Sequence, residues 1–116
     1  MTPVNLTEKL AQINTHWDPH VVADYNGNDV MVVKFQGEFP FHVHEDTDDF
    51  FLVLKGEMIM DLEGTSRPVK TGEVFIVPKG VTHRPRAEHQ CEVLLIEPKG
   101  VPNTGDPATA TAKPQL

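Results

Sequence analysis

Glycine punctuates the second half of this chain at short, even intervals, and the runs between the glycines are too short to be helices. Gly56, Gly64, Gly72 and Gly80 separate Asp49–Lys55, Glu57–Leu62, Pro68–Lys70 and Val74–Val77, each rich in β-branched or apolar residues. Earlier runs lie at 21–25, 29–35 and 41–44, and a later one at Cys91–Glu97. Many short strands with glycine turns predict an antiparallel sandwich or barrel. Asn26-Gly27-Asn28 joins the first two runs, and Asn-Gly in that setting predicts a tight hairpin. The run from Phe50 to Leu54 is apolar on both faces, so both must be covered. One face fills a barrel interior. The other calls for a second sheet, the N-terminal helix or a second subunit, and a homodimer is expected.

One segment has a helical period instead. Leu6, Leu10 and Ile13 share one apolar face, and Asn5 with Glu8 resembles a helix-capping pair. A short helix over 6–14 is expected, packed outside the β-domain. The predicted organisation is a helix and lead-in over 1–19, a barrel over 20–98, and a tail over 99–116. The tail holds prolines, threonines and alanines without period, and is expected to be extended or disordered.

The inventory removes several function classes. With 17 acidic against 10 basic residues the net charge is −7, which argues against a nucleic-acid binder. The longest apolar run, Phe50 to Leu54, is far short of the ~20 residues of a membrane helix. The N-terminus has neither the basic nor the apolar region of a signal peptide, and the single cysteine suits a reducing compartment, so a cytoplasmic location is expected. Ser66 lies in a turn without the setting of a serine nucleophile, and Cys91 reads as a buried strand residue. There is no glycine-rich phosphate loop.

Histidine and carboxylate remain. In Phe41-His42-Val43-His44 an extended chain projects both imidazoles to one face, a metal-ligating arrangement. The acidic turn 45–48 reverses the chain, and Asp49 points inward if Phe51 and Val53 do. His83, after the Pro78-Lys79-Gly80 turn, is a third imidazole able to close the site. His16, His20 and His89 read as surface residues, and Met58 and Met60 as barrel lining.

The order and spacing of these groups resemble the cupin superfamily. Its first motif corresponds to Gly37, His42, His44, four residues, Asp49, six residues and Gly56. Its second corresponds to Gly72, five residues, Pro78, Lys79, Gly80, two residues, His83, three residues and Ala87. The resemblance covers roughly His20 to Pro98 and implies an all-β, double-stranded β-helix (jelly-roll) barrel of the small single-domain type. It also implies one divalent metal ion (zinc, iron, nickel or manganese) held by His42, His44, Asp49 and His83 at the barrel mouth. Asp49 departs from the family's glutamate, and its carboxylate is shorter by one C–C bond, roughly 1.5 Å. Asp48 is the neighbouring carboxylate, expected to face the other side.

What the resemblance implies about activity is a metal-dependent enzyme acting on a small organic molecule in the barrel, of sugar-phosphate isomerase or dioxygenase type. The alternative is a non-catalytic binding or sensing module whose metal is structural or absent. A phosphate substrate would need cations, for which Lys34, Lys55, Arg84 and Arg86 are available.

Overall fold

The computed structural model describes residues 1–116. A helix, α1 (Leu6–Leu10), precedes seven strands: β1 (His20–Tyr25), β2 (Asn28–Glu38), β3 (Asp49–Lys55), β4 (Glu57–Leu62), β5 (Thr65–Lys70), β6 (Val74–Val77) and β7 (His83–Pro98). All named pairings are antiparallel. The strands form the order β1-β2-β7-β3-β6, with β4 joining β5 to β7. The long strand β7 ties the fold together. Its first half pairs with β4, Leu62 opposite His83, and its second half pairs with both β2 and β3, which places Val93 between Val33 and Val53. No helix is long and apolar enough to cross a membrane.

The β1–β2 hairpin forms where Asn-Gly predicts it. Asn26 and Gly27 both take positive φ, 48° and 76°, the backbone sense that matches the twist of paired strands. Inside the barrel, Met31, Val33, Val53, Met58, Met60 and Val93 are fully buried, as the two-residue period of their strands requires. Phe35 and Phe51 join this core, whereas Phe41 is exposed with the Arg84 guanidinium 4.5 Å over its ring.

A second, smaller cluster lies outside the barrel wall. Leu10 and Ile13 bury against Val22 and Val32, with Leu54 and Leu116 beside them. The N-cap forms as expected, Glu8 N donating to Asn5 Oδ1 at 2.9 Å. The helix is shorter than its apolar period suggests. After Leu10 the chain tightens into i→i+3 bonds, Gln12 N to Lys9 O and Ile13 N to Leu10 O, which turn Ile13 under the helix.

Two other expectations are corrected. Residues 41–44 make no strand, only a single bridge at His42. Conversely, the last strand begins at His83, eight residues before Cys91, because its first half finds a partner in β4. Residues 99–116 have no helix or strand, but they do not leave the barrel. They fold back along it. Val21 N donates to Pro114 O and Leu116 N to Val21 O, both at 2.9 Å, and Lys9 Nζ reaches Leu116 O. Gly105 passes so close to the Val43 carbonyl that a Cβ there would collide with it.

Because α1 holds the outer cluster through few residues, Leu10→Ala should lower unfolding stability by about 2–4 kcal/mol, read from denaturant midpoints. The far-ultraviolet β signature should persist.

Candidate metal centre

The four residues singled out in the sequence meet at one end of the barrel with their side chains buried. One ligand-type atom from each of His42, His44, Asp49 and His83 lies within 4.8 Å of every other. Three structural devices bring them there. His42 and His83 sit opposite each other and exchange both backbone hydrogen bonds, His42 N to His83 O at 3.0 Å and His83 N to His42 O at 2.9 Å. Gly80 N donates to His44 O at 2.8 Å, fastening the turn before His83 to the loop that carries His44. Asp49 opens β3 opposite Val77, on the same inward parity as Phe51 and Val53. Asp48 faces the other way, as expected, and its Oδ1 accepts from Lys79 N at 3.0 Å.

Hydrogen bonds set the imidazole tautomers. His42 Nδ1 lies 3.0 Å from Pro40 O and His83 Nδ1 lies 2.8 Å from Val81 O. A carbonyl oxygen only accepts, so both Nδ1 atoms carry the proton. In the neutral rings each Nε2 then presents a lone pair to the interior, as in metal-ligating histidines whose other nitrogen is held by a carbonyl. His44 Nε2 is buried with no hydrogen-bond partner.

Asp49 faces all three. Its Oδ2 stands 2.8 Å from His83 Nε2, 3.5 Å from His44 Nε2 and 3.9 Å from His42 Nε2. Atoms about 2.1 Å from a common ion lie roughly 3.0 Å apart at right angles and about 3.4 Å apart in a tetrahedron. The shortened side chain therefore reaches the cluster without displacing its strand. A carboxylate oxygen at 2.8 Å from a lone-pair nitrogen needs a proton or a cation between them. An orphaned Nε2, two oriented Nε2 atoms and one converging carboxylate fit a divalent ion.

Burial and charge act differently on His42, His44 and Asp49, the members of the cluster whose ionisation departs from the ordinary. Burial pushes His42 down to about 4, so it is neutral at physiological pH. His44 is raised: burial opposes its charge, but the Asp49 carboxylate beside it more than offsets that. For Asp49, burial works against ionisation, and the neighbouring His44 and His83 outweigh it to hold the carboxyl below its usual range.

The other histidines stay outside. His16 pairs with Gln90, His20 with the Asp18 carbonyl, and His89 is exposed. Of the four cations available for a phosphate, none lines the cavity beside the cluster. Lys34 donates to Ile13 O, and Arg84 and Arg86 converge on Asp61 at 2.8–3.0 Å.

A narrow cavity of about 30 Å³ adjoins the cluster. His42, Asp49 and Glu97 line it together with Trp17, Phe35 and Phe51. Trp17, Phe39, His42 and Asn103 also line an outer groove of about 590 Å³. No local pattern in the sequence marks Trp17 or Asn103 as a site residue. Trp17 takes φ 60°, held there by its N bonding to Lys34 O and its indole Nε1 to Gln36 O, and its ring stacks on Phe35 at 4.3 Å.

The comparisons with known proteins agree with this fold. The family model "Cupin domain" matches residues 29–97. The chain is a cupin. A cupin-2 domain protein of known structure from Shewanella frigidimarina superposes with TM-score 0.82 at 36% identity, over 83% of this chain and 94% of that one. The protein "Uncharacterized protein YdbB" of Bacillus subtilis is 33% identical over 79 residues, 67% of this cupin and 70% of its own length. A 3-hydroxyanthranilate 3,4-dioxygenase of Xanthomonas euvesicatoria is 32% identical over 81 residues, and that match spans 46% of the dioxygenase. A hydroquinone 1,2-dioxygenase of Sphingomonas sp. TTNP3, in complex with 4-nitrophenol, shares the fold at TM-score 0.75 and 18% identity.

Removal of any one of the four candidate side chains should weaken metal binding at least about tenfold while the barrel stays folded, as competition with a chelator would measure for His42→Ala, His44→Ala, His83→Ala and Asp49→Ala. Asp49→Glu should also weaken binding, because Asp49 Oδ2 already stands within 3.9 Å of all three nitrogens and the added carbon overfills the space.

Proposed function

We propose that this cupin is a metal-dependent enzyme of the dioxygenase type, acting on a small, largely apolar organic molecule held in the barrel mouth. The observation that carries the reading is the His42–His44–Asp49–His83 cluster at the floor of a cavity walled by aromatic side chains. A divalent ion with an open position would supply Lewis-acid chemistry there and, if redox-active, dioxygen binding.

The chain's own residues divide the remaining work. Phe35, Phe51 and Trp17 exclude water from the metal-facing end and offer flat apolar surface to a ring. His42 and His83, locked through their Nδ1 hydrogen bonds, hold the Nε2 lone pairs in place. The absence of Lys34, Lys55, Arg84 and Arg86 from the cavity lining favours this reading over a sugar-phosphate isomerase, whose substrate needs cations. The relatives named as dioxygenases support it, although this chain spans about half the length of the first of them.

The protein purified without chelator, loaded with ferrous iron and mixed with monocyclic phenols in an oxygen electrode should consume dioxygen, and His42→Ala should abolish the uptake. Binding of the phenols with no oxygen uptake under any redox metal would leave a binding module instead.

A homodimer and a cytoplasmic location belong to the same proposal. On the outer wall Phe50 lies between Ile76 and Ile96, and Leu52 between Val74 and Leu94. Val74 and Ile76 remain 53% and 44% exposed, and the outer cluster under α1 takes in Leu54 but neither Phe50 nor Leu52. An apolar face of this kind is covered by a second copy presenting the same face. Light scattering at micromolar concentration should give twice the chain mass, and Ile76→Asp should return the mass of a single chain.

A further inference from the structure

Glu97 stands out among the residues that the cluster does not use. On β7 the inward positions run Cys91, Val93, Leu95 and then Glu97, which is 4% exposed. Its Oε2 accepts from Lys113 Nζ at 2.9 Å, a cation delivered by the folded-back tail and held also by the Val101 carbonyl. An apolar residue would fill an inward strand position at least as stably, since buried ion pairs exchanged for apolar groups are often neutral or better. Stability therefore does not account for the pair.

Placement does. Glu97 lines the same small cavity as His42 and Asp49. A space of about 30 Å³ admits one or two groups the size of a water, so a group seated at the histidine side has Glu97 as its neighbour. Glu97 Oε1 has no hydrogen-bond partner in the protein and is not fully buried, and the residue lines the cavity. One oxygen is tied back by Lys113, and the other is left to accept.

We propose that Glu97, oriented by Lys113, is a specificity-determining acceptor that selects ligands carrying a hydroxyl or amino donor next to the group held at the histidine cluster. The proposal rests on the reading of that cluster as a metal centre for small organic molecules. Glu97 touches the ligand, and Lys113 is a positioning residue. The tail is thereby part of the site: Lys113 holds the acceptor, and Asn103 borders the same cavity.

Two probes differing in one donor test this: catechol, and 2-methoxyphenol, in which a methyl group replaces the second hydroxyl proton. Trp17 is the only tryptophan and walls the cavity, so its fluorescence reports binding directly. Titrations use the full chain as purified, without oxygen, with metal content measured for every variant. The native protein should prefer catechol by about tenfold or more, the effect of a hydrogen bond to a charged acceptor. Glu97→Gln should cut the preference to about threefold or less while metal content and 2-methoxyphenol affinity hold. Lys113→Met should reduce it as well, and Lys113→Arg should restore it. The double variant Glu97→Gln/Lys113→Met removes both charges together and serves if a lone buried charge unfolds the protein.

A catechol preference that persists in metal-replete Glu97→Gln would come from the metal alone and overturn the proposal, leaving the metal-centre reading intact. No preference in the native protein would overturn it too. Failure of both phenols to bind a metal-replete native protein would overturn the parent reading and this one with it.

Discussion

The buried Asp49 carboxylate faces three imidazole Nε2 atoms, and in two of those rings the Nδ1 proton is committed to a backbone carbonyl. These groups do not satisfy one another. His83 Nε2 and Asp49 Oδ2, 2.8 Å apart, are both acceptors when the ring is neutral, and His44 Nε2 has no partner at all. Such an arrangement is costly in an apolar barrel unless a proton or a cation sits among the four atoms. The rest of the structure holds the four in position. The mutual backbone bonds of His42 and His83 resist separation, and the Gly80–His44 bond prevents the loop from swinging out.

Strand β7 links this end of the molecule to everything else. It begins at His83 and ends one residue after Glu97, so one continuous strand carries a candidate ligand at one end and the candidate acceptor at the other. Between them its inward residues fill the core against β2 and β3. The tail then returns along β1 and inserts Lys113 beside Glu97. Core, metal-facing groups and tail are thus coupled through a single strand rather than assembled from independent loops.

Particular residues show how far the sequence could be read. The period-2 pattern of Phe51 and Val53 placed Asp49 inward correctly, because strand parity is local. It left open whether the shorter carboxylate reaches, since that depends on how closely the 42–44 segment and His83 approach β3. The same parity marks Glu97, a carboxylate where Cys91, Val93 and Leu95 are apolar. The alternation of residues 41–44 suits a strand, yet only His42 finds a pairing partner. The apolar face of α1 was legible, while its end was not, because Ile13 is drawn under the helix by Val22 and Val32.

The sequence alone determined what local geometry and spacing determine, the short antiparallel strands, the Asn26–Gly27 hairpin and the helix cap at Asn5, and its resemblance to the cupin motifs pointed to His42, His44, Asp49 and His83. Each depends on backbone preference, side-chain parity or motif order, which are written in neighbouring residues. Tertiary structure alone decided that Asp49 reaches its partners, that Trp17 walls the cavity, and that Lys113 pairs with Glu97 from sixteen residues away. These are contacts between segments that no local pattern connects. They exist because the barrel closes and the tail folds back on it, and closure is a property of the whole packed core.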